Sequence, residues 1–380
     1  MPMNRVCEMT GAEFPLFAFS HCRDVVAAVT NAGGFGVLGA VGHTPESLEI
    51  ELKWLDDSVR GRPYGVDLLV PATMDGKEGG LSADEVMARI PPEHLAHVES
   101  LLRDHGLEVN DLWDETDVMG WGDNMREAGA VPVLDVAFSH PIGMIVNALG
   151  PPPPAMMERA RHFGVTVGAL AGTWEHAVRH AEIGVDVVIC AGTEAGGHTG
   201  EISTLVNLTE TLMALEDDFS DVSVLAAGGI ATGRQMAACM AMGAEGAWTG
   251  SVWLTTAEAE TTSTVKEKML AAGSRDTVRS RGRTGKPTRQ LRSAWTDAWA
   301  REDAPKPLAM PLQGLLSRPA FAKIDRLAAN GHEGAKELAS YYVGQAVGLM
   351  NQEMSVRNVV ETFKVDYVNA VERLSSSLEE

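Results

Sequence analysis

The segment CAGTEAGGHTG, Cys190 to Gly200, sets one histidine and one glutamate among four glycines, directly behind the apolar run VDVVI. Histidine is the side chain best suited to exchanging a proton near neutral pH. Glycine on both sides leaves it little side-chain cover. The segment is either a flexible turn that contains a histidine, or a place where the backbone must approach something flat or phosphorylated. Two more glycine turns follow it. VLAAGGIATGRQMAACMAMGA places Gly228-Gly229 between an apolar run and a helix pattern, and EGAWTGSVWL ends an apolar run in Gly250-Ser251. Glycines at strand-to-helix junctions let backbone N–H groups converge on an anion, helped by the following helix N-terminus. Each turn alone is equally a plain tight turn. The pair, at two consecutive strand exits, points to a phosphate-bearing cofactor beside His198.

The other candidates are less pointed. His21 follows the first apolar run and is a candidate to line a pocket. His140, in AFSHPIG, is read as following a fourth strand and facing the same mouth. His176 and His180 fall on one helix pattern and are read as surface residues. No GxSxG turn supports a serine hydrolase. No HExxH or paired carboxylate–histidine spacing supports a metal site. The four cysteines, Cys7, Cys22, Cys190 and Cys239, are widely spaced and lack zinc spacing.

Elements that could position these residues alternate along the chain. Strands are expected near Pro15–Phe19, Phe35–Leu38, Tyr64–Val70, Val131–Ala137, Thr166–Ala169, Val185–Cys190, Ser223–Ala227 and Gly246–Gly250. Helices are expected over Arg23–Asn31, Pro45–Leu55, Ala155–His162, Trp174–Glu182, Leu208–Leu215 and Thr232–Met242. Eight strands with intervening helices predict a (β/α)8 TIM barrel, with a doubly wound open sheet as the alternative. Against the open sheet, the phosphate-type turns come late rather than after the first strand. In a barrel, late strands are where phosphate sites are commonly built.

Two segments interrupt the rhythm. Residues 73–130 hold 14 Asp/Glu against 4 Lys/Arg, which accounts for −10 of the net charge of −21. They form a solvated helical excursion, or else a cap, lid or subunit contact; a homodimer is therefore among the expectations. Residues 257–380 read as mainly helical, beside a barrel of residues 1–256. Within them RDTVRSRGRTGKPTRQLR, Arg275–Arg292, carries seven basic residues and one acid. That run pairs with the acidic insertion or attracts the phosphates of a nucleotide or an acyl carrier. Net charge −21 argues against nucleic-acid binding. With no apolar run long enough to span a bilayer and no signal peptide, a soluble, reducing, cytoplasmic setting is expected.

Taken together, NAGGFGVLGA, RPYGVDLLVP, GVDVVICAGTEAGGHTGE, AAGGIATGRQMAACMAMGAEGAWTGSVWL and GQAVGLM resemble the nitronate monooxygenase family, formerly called 2-nitropropane dioxygenase. That family includes the FMN-dependent enoyl-ACP reductase II enzymes. The motifs keep the family's order over residues 12–256 and again at Gly344–Met350. The resemblance implies a (β/α)8 barrel holding FMN non-covalently, with residues 257–380 as a smaller helical domain over the mouth. That domain would cover the substrate, and its last helix would pack back on the barrel. His198 would be catalytic base or substrate anchor, and Gly228, Gly229, Gly250 and Ser251 would hold the phosphate. Ala18, Phe19, Ser20, Asp67, Ala195 and Gly197 would bound the ring. Some positions depart from the family: Ala-Phe-Ser stands for Ala-Pro-Met, Asp67 for asparagine, Ala191 for glutamine and Ser251 for threonine. The activity implied is oxidation of alkyl nitronates with O2. The alternative is an NAD(P)H-dependent FMN reductase or dehydrogenase acting on an unsaturated acyl-CoA or acyl-ACP thioester. A third reading, least favoured by the intact His198, is an FMN-binding protein without turnover.

Overall fold

The computed structural model describes residues 4–70, 88–110, 112–113, 127–148 and 150–377. Eight parallel strands close into a barrel: β1 Leu16–Ser20, β2 Phe35–Gly39, β3 Gly65–Leu68, β4 Met144–Asn147, β5 Thr166–Ala171, β6 Val187–Ala191, β8 Ser223–Ala227 and β9 Gly246–Thr249. The ring closes where β1 pairs with β9, Ala18 opposite Thr249.

Alternation along each strand divides the apolar residues into two layers. Phe17, Phe35, Val37, Met144, Val146, Val187, Ile189, Leu225 and Trp248 fill the interior. Their neighbours, such as Leu38, Val66, Leu68, Ile145 and Val167, pack outward under the helices. The helix Arg5–Thr10 plugs the end where the strands begin, adding Val6 and Cys7 to the interior core. Phe19, Leu170 and Ala191 sit at the other end, where the strands exit, and are only partly buried.

One expected strand is a helix. Val131–Ala137 lies within the helix Glu127–Ser139, and the fourth strand is the later MIVN, Met144–Asn147. The burial order explains the difference: Val133, Leu134, Ala137 and Phe138 are buried, a helical spacing, while Asp135 points out to Arg159. His140 therefore precedes β4 instead of following it. It lies at the opposite end from the mouth, with Nδ1 2.6 Å from Asp56 and Nε2 3.0 Å from Glu49. His180 is also corrected: it is buried, with Nε2 3.0 Å from the carbonyl of Leu170.

Half of the acidic stretch 73–130, namely residues 73–87, 111 and 114–126, lies outside the described residues, including the expected helical piece ADEVMARI up to residue 87. Its helix Pro92–Asp104 buries Val98, Leu101 and Leu102 in a core shared with Trp295, Leu316, Phe321 and Ile324. The helix Pro92–Asp104 therefore joins the later helical region rather than the barrel shell. The basic run, by contrast, is not helical. It forms the antiparallel strands β10 Thr277–Ser280 and β11 Thr288–Leu291. The helix Val356–Ser376 packs back on the barrel helix Gly233–Ala241, so closely that a Cβ on Gly233 would lie 2.0 Å from the carbonyl of Phe363. Among the described residues no helix is long and apolar enough to cross a membrane.

Candidate active site

The segment between β6 and its helix, Thr204–Leu215, is tied down at nearly every residue. Gly197–His198 forms a two-residue strand, β7, that pairs with β11. A sheet of β10, β11 and β7 thus lays the basic hairpin against His198. Arg289 donates to the carbonyl of Thr193 at 2.8 Å and Arg279 to that of Thr199 at 3.2 Å. Among the described residues, the hairpin's arginines find partners away from the acidic insertion. Arg279 lies 3.8 Å from Glu201, Arg292 pairs with Asp297, and Arg283 lies over the rings of Phe321 and Tyr342.

His198 is exposed, with Nε2 3.0 Å from the Thr284 hydroxyl. That hydroxyl also lies 3.2 Å from the carbonyl of Lys286 and accepts from the Lys286 N–H. With the hydroxyl hydrogen on that carbonyl, Nε2 donates and the lone pair lies on Nδ1; with it on Nε2, the roles reverse. The surrounding protein lowers the pKa of the imidazole, and the positive charge of Lys286 lowers it further. His198 is thus a neutral base at neutral pH, with a cation beside it.

Glu194, the carboxylate of the same segment, does not face outward as a second acid. Its Oε2 accepts from the Thr204 N–H at 2.9 Å and from the Thr204 hydroxyl at 2.8 Å. It thereby satisfies the N-terminus of the helix Thr204–Leu215. The Thr204 hydroxyl also lies 3.0 Å from the carbonyl of Gly228, so one threonine joins the exits of β6 and β8. The exit of β9 is joined through Gly344, whose N–H donates to Ser251 Oγ at 2.8 Å. A Cβ on Gly344 would meet the carbonyl of Glu194 at 2.5 Å, and one on Gly196 would meet Gly344 N at 2.9 Å. Only glycine allows this approach.

The structure brings several of the expected residues to one end of the barrel. Gly228 and Gly229 turn with φ of +105° and +70°, a conformation that disfavours any side chain. Among the described residues no backbone acceptor takes the N–H groups of Gly229, Gly250 or Ser251. The helix N-terminus expected to assist them is already occupied: Arg234 N–H donates to Asp366 at 2.8 Å. An anion here would therefore rest on the turns rather than on that helix. Phe19 points inward and stacks on Trp248, with centroids 6.2 Å apart. Ala18 is buried in the outer layer, and Ser20 Oγ accepts from Cys22 N–H. Ala195 and Gly197 lie in the tethered segment. His21 sits at the same end, its Nδ1 donating to the carbonyl of Gly39 at 2.7 Å.

Asp67 is 2% exposed, and its Oδ1 has no partner among the described residues. Burial holds its carboxyl well above the usual carboxylate range. Open N–H groups on side-chain-free turns, an aromatic floor and an orphaned inward-facing carboxyl all fit a flat, phosphorylated cofactor. Thr204, Thr284, Lys286, Arg289 and Gly344 were not singled out as site residues from the sequence. Lys286 and Arg289 lay in the basic run and Gly344 in GQAVGLM, but nothing local in these stretches signals a contact with residues so distant in the chain.

A parallel eight-stranded barrel with glycine turns and a histidine at its open end is the architecture of a TIM-barrel enzyme with its site at the strand exits. Residues 19–366 match the nitronate monooxygenase family model, and the chain belongs to that family. It is 52% identical to the Mycobacterium tuberculosis protein named as monooxygenase Rv1533, over 97% of this chain and 98% of that one. A Staphylococcus saprophyticus protein named as a nitronate monooxygenase is 28% identical over 94% of this chain and 95% of its own. Among solved structures, nitroalkane oxidase from Streptomyces ansochromogenes superposes with a TM-score of 0.77 at 26% identity, covering 98% of this chain and 100% of its own. FabK from Thermotoga maritima shares the fold, with a TM-score of 0.69 at 22% identity over 99% of this chain and 100% of its own. The protein is a flavin-dependent oxidoreductase of the nitronate monooxygenase type, acting on small molecules.

Proposed function

We propose that the protein binds FMN at the barrel mouth and oxidises alkyl nitronates with O2. The observation that carries this reading is His198. Pairing of β7 with β11 holds it at the exit of β6, beside the glycine turn of β8, as a neutral imidazole next to Lys286. A neutral base beside a cation suits a substrate whose reactive form is an anion. For a nitronate, His198 and Lys286 would orient the negative charge. For a neutral nitroalkane, His198 would first take the α-proton. Bound FMN would supply electron acceptance and pass the electrons to dioxygen. The phosphate would rest on Gly228, Gly229, Gly250 and Ser251. Phe19, Ser20, Asp67, Ala195 and Gly197, with the backbone of Ala18, would bound the ring. Residues 257–380 would cover the substrate through the hairpin.

A second reading, reduction or dehydrogenation of an acyl thioester with NAD(P)H, is favoured by exposed Arg281 and Lys286 on that hairpin. These two cations make no ion pair among the described residues, so phosphates could recruit them. Anaerobic mixing separates the two readings. Propionate 3-nitronate should bleach the flavin rapidly and NADPH should not. Fast bleaching by NADPH with none by nitronate would overturn the first reading in favour of the second.

A further inference from the structure

Asp67 is the third residue of β3, in register with Gly39 on β2 and Val146 on β4. Val66 and Leu68, on either side of it, pack outward under the helices, so Asp67 belongs to the inner face of the barrel. The interior there is lined by Phe19, Val37, Val146, Leu170 and Trp248. On β4, Asn147 is committed elsewhere, accepting from Val70 N–H and donating to Val70 O. From the β1 side comes His21, bonded to Gly39 and itself kept neutral by burial. Among the described residues no lysine, arginine or charged histidine pairs with Asp67. A carboxylate so placed would be an isolated buried charge, and such groups take up a proton instead. A buried carboxylic acid whose Oδ1 finds no partner among the described residues has a hydrogen to donate to whatever occupies the mouth.

We infer that Asp67 works as a neutral acid, donating a hydrogen bond to the FMN bound there. This rests on the flavin reading. The asparagine common at this position in the resembling family would offer an amide N–H at any pH. An acid offers its O–H only while protonated, so this chain's hold on its cofactor gains a pH dependence.

The test measures FMN affinity by flavin fluorescence, from mildly acidic to alkaline pH, in wild type and Asp67→Asn. It is joined by infrared spectra of the FMN-loaded protein at neutral pH. Wild-type affinity should fall by up to about tenfold per pH unit above the pKa of Asp67 in the flavin-free protein. Asp67→Asn should bind FMN with a flat profile. The infrared spectrum should contain a protonated-carboxyl band that shifts in D2O and vanishes in the variant. A flat wild-type profile, identical profiles in the two proteins, or the absence of that band each overturns the inference while leaving the flavin reading intact. Failure of wild type to take up FMN at all overturns both.

Discussion

Glu194 offers the sharpest separation of structure from chemistry in the motif that first draws the eye. In sequence it is the one carboxylate in the histidine's own segment; in the fold it is a clasp on Thr204. Replacing it with alanine removes the acceptor of the Thr204 N–H at 2.9 Å. The Thr204 hydroxyl loses a partner at 2.8 Å but can turn to the carbonyl of Gly228, already 3.0 Å away. Only the N–H bond is therefore lost outright. A hydrogen bond to a charged group contributes about 1.5–3 kcal/mol, so Glu194→Ala should cost about 2 kcal/mol. Glu194→Gln keeps an acceptor oxygen and should cost less than ~1 kcal/mol. Chemical denaturation of the flavin-free proteins gives both numbers without any assay of turnover. Amide exchange should show residues 192–200 losing protection in the alanine variant. In steady state, Glu194→Gln should stay close to wild type, because the carboxylate carries no proton in the reaction. If Glu194→Gln is as stable as wild type yet loses activity by orders of magnitude, the clasp assignment is wrong and the residue acts in the chemistry.

His198→Ala should keep FMN but slow substrate-driven flavin reduction by about 10²–10⁴-fold in anaerobic stopped flow; unchanged turnover would remove His198 from the mechanism. Lys286→Gln should raise the pKa of His198, moving the acid limb of the rate profile to higher pH, since the positive charge that disfavours the imidazolium is gone. Gly228→Ala places a Cβ 2.8 Å from Thr204 Oγ1 at a φ of +105°. Backbone strain of about 1–3 kcal/mol should appear in denaturation, together with weakened FMN binding by fluorescence. At the closed end of the barrel, burial lowers the pKa of His140, but hydrogen bonds with Asp56 and Glu49 outweigh it and the net shift is upward. Its contribution to stability is complete below about 6.5 and is lost as pH rises through the raised folded-state value. His140→Ala should flatten that loss in urea melts taken across the window.

Much of the barrel can be read in the chain because its strands are short β-branched or apolar runs closed by glycine or a helix cap. The helix Arg23–Asn31 has a strongly one-sided apolar pattern and falls where the pattern places it. Val131–Ala137 misleads because an alternating apolar run also fits a helix when Val133, Leu134, Ala137 and Phe138 share a face; the short true strand, MIVN, gives a weaker signal. The hairpin is obscured by its charge. Thr277, Val278 and Thr288 are good strand formers, but the arginines between them read as a solvated face. At the site, the glycine turns and His198 are local features and so can be read. Glu194's bond to Thr204 depends on how the loop after β6 folds back on its own helix. Gly344's place against Gly196 joins residues far apart in the chain, and no spacing rule contains either contact.

The contact at Gly233 bears on the order in which the molecule can assemble. The eighth barrel strand ends at Thr249, yet the helix Gly233–Ala241 is finished only when Phe363, Asp366 and Tyr367 dock on it. A chain emerging from the ribosome can close the sheet long before those residues exist. Until they arrive, Arg234 has no carboxylate, and the turn at Gly228-Gly229 leads into an unsupported helix. The sheet would thus be closed while one of its covering helices still lacks the neighbour that completes its packing.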